Sequence, residues 1–137
     1  MAVGNNYWAP PGLGNVGSYQ VAGEPYISGS TSMAAGVQMK FEFPYVTKTI
    51  TVVNHASQTI RVHFNSTGSG VGRVVDGVHY VELDSDEDSY TFSAKCKEIY
   101  VSAPTTNSGA SKYRVIAELT GIPTASMFNL TGSGLTD

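Results

Sequence analysis

Val37-Gln38-Met39-Lys40-Phe41-Glu42-Phe43-Pro44-Tyr45 places an apolar side chain at every odd position, with Gln, Lys, Glu and Pro between them. Successive side chains of a strand point to opposite faces, so a period of two marks a strand with one side buried. The period continues down the chain. Ile50 and Val52 alternate with Thr49 and Thr51, and Ile60, Val62 and Phe64 enclose Arg61 and His63. Residues 78–83 come next, then Tyr90, Phe92, Ala94 and Cys96, then Ile99, Val101 and Ala103, and finally Tyr113, Val115, Ala117 and Leu119. Turn-forming residues punctuate the series at 54–58, 67–72, 84–89 and 104–111, and no stretch sustains a helical i, i+3, i+4 pattern. The expectation is an all-β chain: a single antiparallel β-sandwich of about seven strands, immunoglobulin-like or jelly-roll-like. Its core is expected to hold Phe41, Phe43, Ile60, Val62, Phe64, Phe92, Val101 and Val115.

Upstream of this alternation the chain reads differently. Residues 1–35 carry three of the six prolines, many glycines and one charged side chain, Glu24, yet also the single Trp and three of the eight Tyr. A disordered linker is polar, charged and poor in aromatics. An aromatic segment without periodicity suits an extended arm ordered by the surface it touches. Residues 1–35 are therefore expected to be an N-terminal arm, 36–120 the sandwich, and the Gly/Ser/Thr-rich 121–137 a short irregular C-terminal tail. Tyr7, Trp8, Leu13, Val16, Tyr19, Val21, Tyr26 and Ile27 are the candidate partner-binding residues of the arm, because aromatic and large apolar anchors dominate interfaces.

Composition narrows the function. The 137 residues suit one domain with a real core, and 14% charged residues with a net charge of -3 give no global attraction to nucleic acid or anionic membrane. No apolar run reaches the length of a membrane span, and the N-terminus lacks a signal-peptide pattern, so synthesis in the cytoplasm of a host cell is expected. Cys96 is the only cysteine, which precludes an internal disulfide and reads as a small buried apolar side chain.

A search for chemistry finds no site with the required spacing. Gly12, Gly14 and Gly17 formally match a dinucleotide-binding fingerprint, but no strand pattern precedes them and no helix pattern comes after. Asp84, Asp86 and Asp88 alternate like the start of an EF-hand loop, yet Ser89 stands where that loop needs Gly and Lys95 where it needs Glu. They read as a solvated acidic turn. His55, His63 and His79 form no metal-ligand motif, and His63 falls on the outward, solvent side of its strand. Lys95 and Lys97, like Lys112 and Arg114, share a strand face, and would form a basic patch if their strands adjoin. No catalytic residue, cofactor or metal is expected, and the chain is read as non-enzymatic.

Asn15-Val16-Gly17-Ser18-Tyr19-Gln20-Val21, followed by Gly23-Glu24-Pro25-Tyr26-Ile27, resembles the N-terminal segment of small structural proteins of tailed phages of marine bacteria and cyanobacteria. Ala117-Glu118-Leu119-Thr120-Gly121-Ile122-Pro123 and the ending Leu130-Thr131-Gly132-Ser133-Gly134-Leu135-Thr136-Asp137 are similar to the same family. The resemblance implies a capsid decoration (cement) protein on the virion surface, binding the major capsid protein or another shell protein. It implies multiple copies or a homo-oligomer, with no nucleic acid or membrane partner. The alternative is a glycan- or receptor-binding β-sandwich of a phage tail or host-attachment structure, whose aromatics stack on sugars.

Overall fold

A computed structural model describes residues 13, 24–66, 79–132, 134 and 135. Its eight strands are β1 (Glu24–Met33), β2 (Gln38–Glu42), β3 (Tyr45–Asn54), β4 (Ile60–His63), β5 (Val81–Leu83), β6 (Ser89–Phe92), β7 (Glu98–Ser102) and β8 (Ser111–Pro123), followed by a 3-10 turn at Thr124–Ser126. The strictest alternation in the sequence lies in β8, where Tyr113, Val115, Ala117 and Leu119 are all but completely buried and the residues between them face out.

Pairing is antiparallel throughout and nested: β1 with β8, β2 with β7, β3 with β6, β4 with β5. The strands thus trace one long hairpin whose two limbs stay together. Two further ladders, β3 with β8 and β4 with β7, roll that hairpin into sheet A (β1-β8-β3-β6) and sheet B (β2-β7-β4-β5). Every connection except β4 to β5 crosses from one sheet to the other.

The sheets bury their facing sides in one sandwich-like core. Phe41, Ile60, Val62, Ile99 and Val101 of sheet B meet Ile50, Val52, Tyr113, Val115 and Leu119 of sheet A. Tyr113 bridges the layers, its ring edge-on to Phe41 at 6.0 Å and its hydroxyl 3.2 Å from the sulfur of Met39. Cys96 is buried as expected, and burial pushes its thiol pKa up to about 11. Of the expected core, Phe41, Phe43, Ile60, Val62, Val101 and Val115 are buried. Phe64 and Phe92 are only half-buried and pack edge-on to each other against the core.

A smaller core forms at one end from Val46, Ile122 and Met127, with Leu13 and Leu130 against it. It exists because β3 is irregular in register between Tyr45 and Thr49. This breaks the alternation, so Val46 and Thr47 are both buried. Thr47 satisfies itself there, its hydroxyl donating to the Ala94 carbonyl and accepting from the Cys96 amide.

Several expectations need correction. The stretch 37–45 is not one strand: Pro44, which has no N–H to give to a ladder, separates β2 from β3. Val37 and Tyr45 at its ends stay exposed. Residues 24–33, expected in the arm, are a full strand of sheet A, and β8 runs past 120 to Pro123. Strand β1 escapes the period-two reading because its inward positions facing Tyr113 and Val115 are Ser30 and Ser28. Gly29 marks how close β1 comes to β8: its φ is +154°, and a Cβ there would run into the Tyr113 carbonyl oxygen. Residues 1–12 and 14–23 of the expected arm lie outside the described residues. Among the described residues no helix is long and apolar enough to cross a membrane.

Candidate functional site

The expected partner-binding residues divide sharply. Tyr7, Trp8, Val16, Tyr19 and Val21 lie outside the described residues. Leu13 packs on the small core, and its carbonyl accepts a hydrogen bond from Lys95 Nζ at 2.9 Å. Tyr26 faces inward and meets Phe43 edge-on at 5.0 Å. Ile27, on the opposite face of the same strand, is 69% exposed.

Register explains the surroundings of Ile27. It lies opposite Ile116, which lies opposite Thr51, which in turn lies opposite Thr91. The row Ile27–Ile116–Thr51–Thr91 therefore crosses all four strands on the outer side of sheet A, uncharged from edge to edge. Thr51 and Thr91 hydrogen-bond each other at 2.8 Å, which leaves the two isoleucines as the apolar part.

The outer side of sheet B is built otherwise. Cross-strand register places Lys40, Tyr100 and His63 in one row and Gln38, Ser102, Arg61 and Glu82 in the next. Contrary to expectation, His63 is completely buried, and Tyr100 and Ser102 nearly so. The chain after β4 turns back over this face: the Asn65 carbonyl lies 2.6 Å from His63 Nδ1, and Gln38 Nε2 donates to Ser66 Oγ. His63 Nε2 lies 2.8 Å from Ser102 Oγ, and the imidazole lies parallel to the Tyr100 ring. With Nδ1–H donated to a carbonyl, Nε2 is the acceptor for the Ser102 hydroxyl. Burial, followed by the nearby Arg61 charge, holds the His63 pKa below its ordinary value despite the Asn65 carbonyl. This is the pairing of a nucleophile and a base, but both side chains are buried and neither lines the neighbouring cleft. The arrangement acts as a satisfied polar layer.

Beside that layer lies a cleft of about 340 Å³ between β2, the start of β7 and residues 128–131. Glu98 accepts from the Tyr100 hydroxyl at 2.7 Å and lies 3.6 Å from Lys40 Nζ. Burial and the Glu98 carboxylate both raise the pKa of Tyr100, which keeps its proton and its bond. Comparison of the chain with family models, with curated proteins and with solved structures gave no match.

The acidic turn is not arranged as an EF-hand. Asp88 turns back to accept the Ser85 amide, and its pKa is lowered chiefly by the Ser85 hydroxyl. Glu87, at φ 69°, reaches His55 at 3.0 Å, and Asp86 joins them with ligand atoms within 4.8 Å. His55 enters because the end of β3 is tied to the turn by Asn54 N–H to Asp88 and Glu87 N–H to Asn54. Spacing in sequence gives no sign of that bond. The conditional basic patch does not arise, because Lys97 adjoins β7 of sheet B whereas Lys112 and Arg114 belong to β8 of sheet A.

Proposed function

We propose that the protein is a non-enzymatic jelly-roll structural protein of a virion, a capsid decoration (cement) protein that docks on the major capsid protein shell. The observation that carries this reading is the nested pairing of eight strands into β1-β8-β3-β6 and β2-β7-β4-β5. A hairpin rolled in this way is the jelly-roll order, an architecture of viral capsid and lectin domains. An immunoglobulin-like order fits less well. That fold sets A beside B and D beside E, whereas among the described residues β4 and β5 are the only consecutive strands that pair.

Docking is supported by the uncharged row on sheet A, where Ile27 and Ile116 stand exposed side by side. Trp8 and Tyr19 are proposed as further anchors by their chemistry alone, since aromatic side chains dominate interfaces. Leu13 and Tyr26 pack instead on their own domain. The virion assignment itself rests on the resemblance of residues 15–27, 117–123 and 130–137 to phage structural proteins.

The test is attachment to purified shells lacking this protein. The full chain should decorate them, and Trp8→Ala or Tyr19→Ala should weaken attachment by about 2 kcal/mol, the size of an interface hot spot. A truncation that starts at Glu24 keeps all eight strands. If it decorates shells as well as the full chain does, the arm has no part in docking.

A further inference from the structure

We propose that the cleft on the outer side of sheet B is a binding site for an acidic saccharide, a hexuronate unit of a larger glycan. This goes beyond docking and does not rest on it, since the cleft and the Ile27–Ile116 row lie on opposite sheets.

The walls of the cleft are held by the fold itself. Tyr100 lines it, flanked by the parallel His63 ring of the neighbouring strand and fixed at its hydroxyl by Glu98. Its far wall is the segment after the 3-10 turn. Met127 is anchored in the small core and Leu130 packs against both cores, while Asn65 Nδ2 donates to the Leu130 carbonyl at 2.8 Å. Lys97 Nζ donates to the Met127 carbonyl at 3.3 Å. Between these anchors Phe128 is turned outward, 66% exposed at the rim of the cleft. Most of this large apolar ring is therefore open to water beside a polar cleft.

The chemistry of the lining selects the ligand. A pyranose ring offers an apolar C–H face, which an aromatic ring such as Phe128 can cover, and an edge of hydroxyls that need both donors and acceptors. The cleft supplies donors at Lys40 and Lys97, an acceptor at Glu98, and an amide at Asn129. Two ammonium groups and one carboxylate line the cleft, and Glu42, opposite Glu98 in the register, brings a second carboxylate beside it. Lys40 is matched by Glu98. Lys97 gives one hydrogen bond to a neutral carbonyl, and an ammonium carries three donors, so it suits a carboxylate on the sugar. The volume, about 340 Å³, is at the small end for ligand pockets, which run from about 300 to 1,000 Å³. It fits one sugar unit with its neighbours extending into solvent.

The experiment titrates the full chain with sodium glucuronate, glucose and inorganic phosphate, read by amide chemical shifts. Glucuronate should bind with a Kd on the order of 1 mM and perturb residues 97–100 and 128–131, with glucose at least about tenfold weaker. Phe128→Ala and Lys97→Gln should each weaken glucuronate at least about fivefold, and Phe128→Ala, an exposed rim side chain, should leave the melting temperature unchanged. Equal responses to phosphate and glucuronate would mean an unspecific anion patch and overturn the proposal. So would glucuronate binding indifferent to Phe128→Ala, or no binding at tens of millimolar.

Discussion

The outer sides of the two sheets are written in the same code and end up in opposite states. In sheet A the residues that alternate with the core, Ile27, Ile116 and Glu118 among them, face solvent. In sheet B the equivalent positions His63, Tyr100 and Ser102 are buried. The difference lies in the segments that leave the strands. After β4 the chain folds back, so that Asn65 and Ser66 close over His63 and Gln38, and residues 128–131 line the next part of the face. The outward apolar pair of sheet A keeps its exposed surface, while sheet B has drawn His63, Tyr100 and Ser102 into an internal layer. Alternation thus tells which residues share a face, and connections decide whether that face is wet.

Three changes probe this contrast. The largest effect is expected where both sheets meet. Tyr113→Ala removes a fully buried ring that touches Phe41 and Met39, and should cost about 3–5 kcal/mol in chemical denaturation. A loss below about 1 kcal/mol would mean that the sheets do not share one core.

A middle effect is expected in the covered layer. His63→Ala leaves the Ser102 hydroxyl and the Asn65 carbonyl without their partner, and should cost about 2–3 kcal/mol. Its pH signature has a definite sign. The folded-state pKa of His63 lies below its ordinary 6.5, so beneath that pH the unfolded chain binds more protons than the folded one. Stability from this group is complete above pH 6.5 and declines as the pH falls towards the lower folded pKa. The melting temperature should therefore drop from pH 7 to pH 5 in the native protein, with a smaller drop in His63→Gln. Identical slopes would place His63 in water and remove the contrast between the two faces.

The smallest effect on stability is expected on sheet A. Ile116→Thr preserves a β-branched side chain on an exposed strand position and should change stability by no more than about 0.5 kcal/mol. Attachment to shells should nevertheless weaken by about 1 kcal/mol. Normal attachment by a double variant carrying Ile27→Thr as well would exclude this row from docking.

The amino-acid sequence alone determined the class of structure and most of the core. A period of two is a local property, imposed by the pleat on any strand, so Phe41, Ile60, Val62, Val101 and Val115 could be assigned to the interior without knowing their neighbours. Turn residues located most connections in the same way. Strand β1 was hidden because an edge strand facing small serines carries no alternation, and it forms only because β8 offers a ladder to it. Tertiary structure alone decided the pairing between distant segments: the nested strand order, the burial of His63, the meeting of His55 with Glu87, and a cleft whose walls come from residues 40, 64, 65, 97, 98, 100 and 128–131. Each depends on contacts between residues far apart in the chain, where the free energy of a pair is set by geometry that no local pattern encodes.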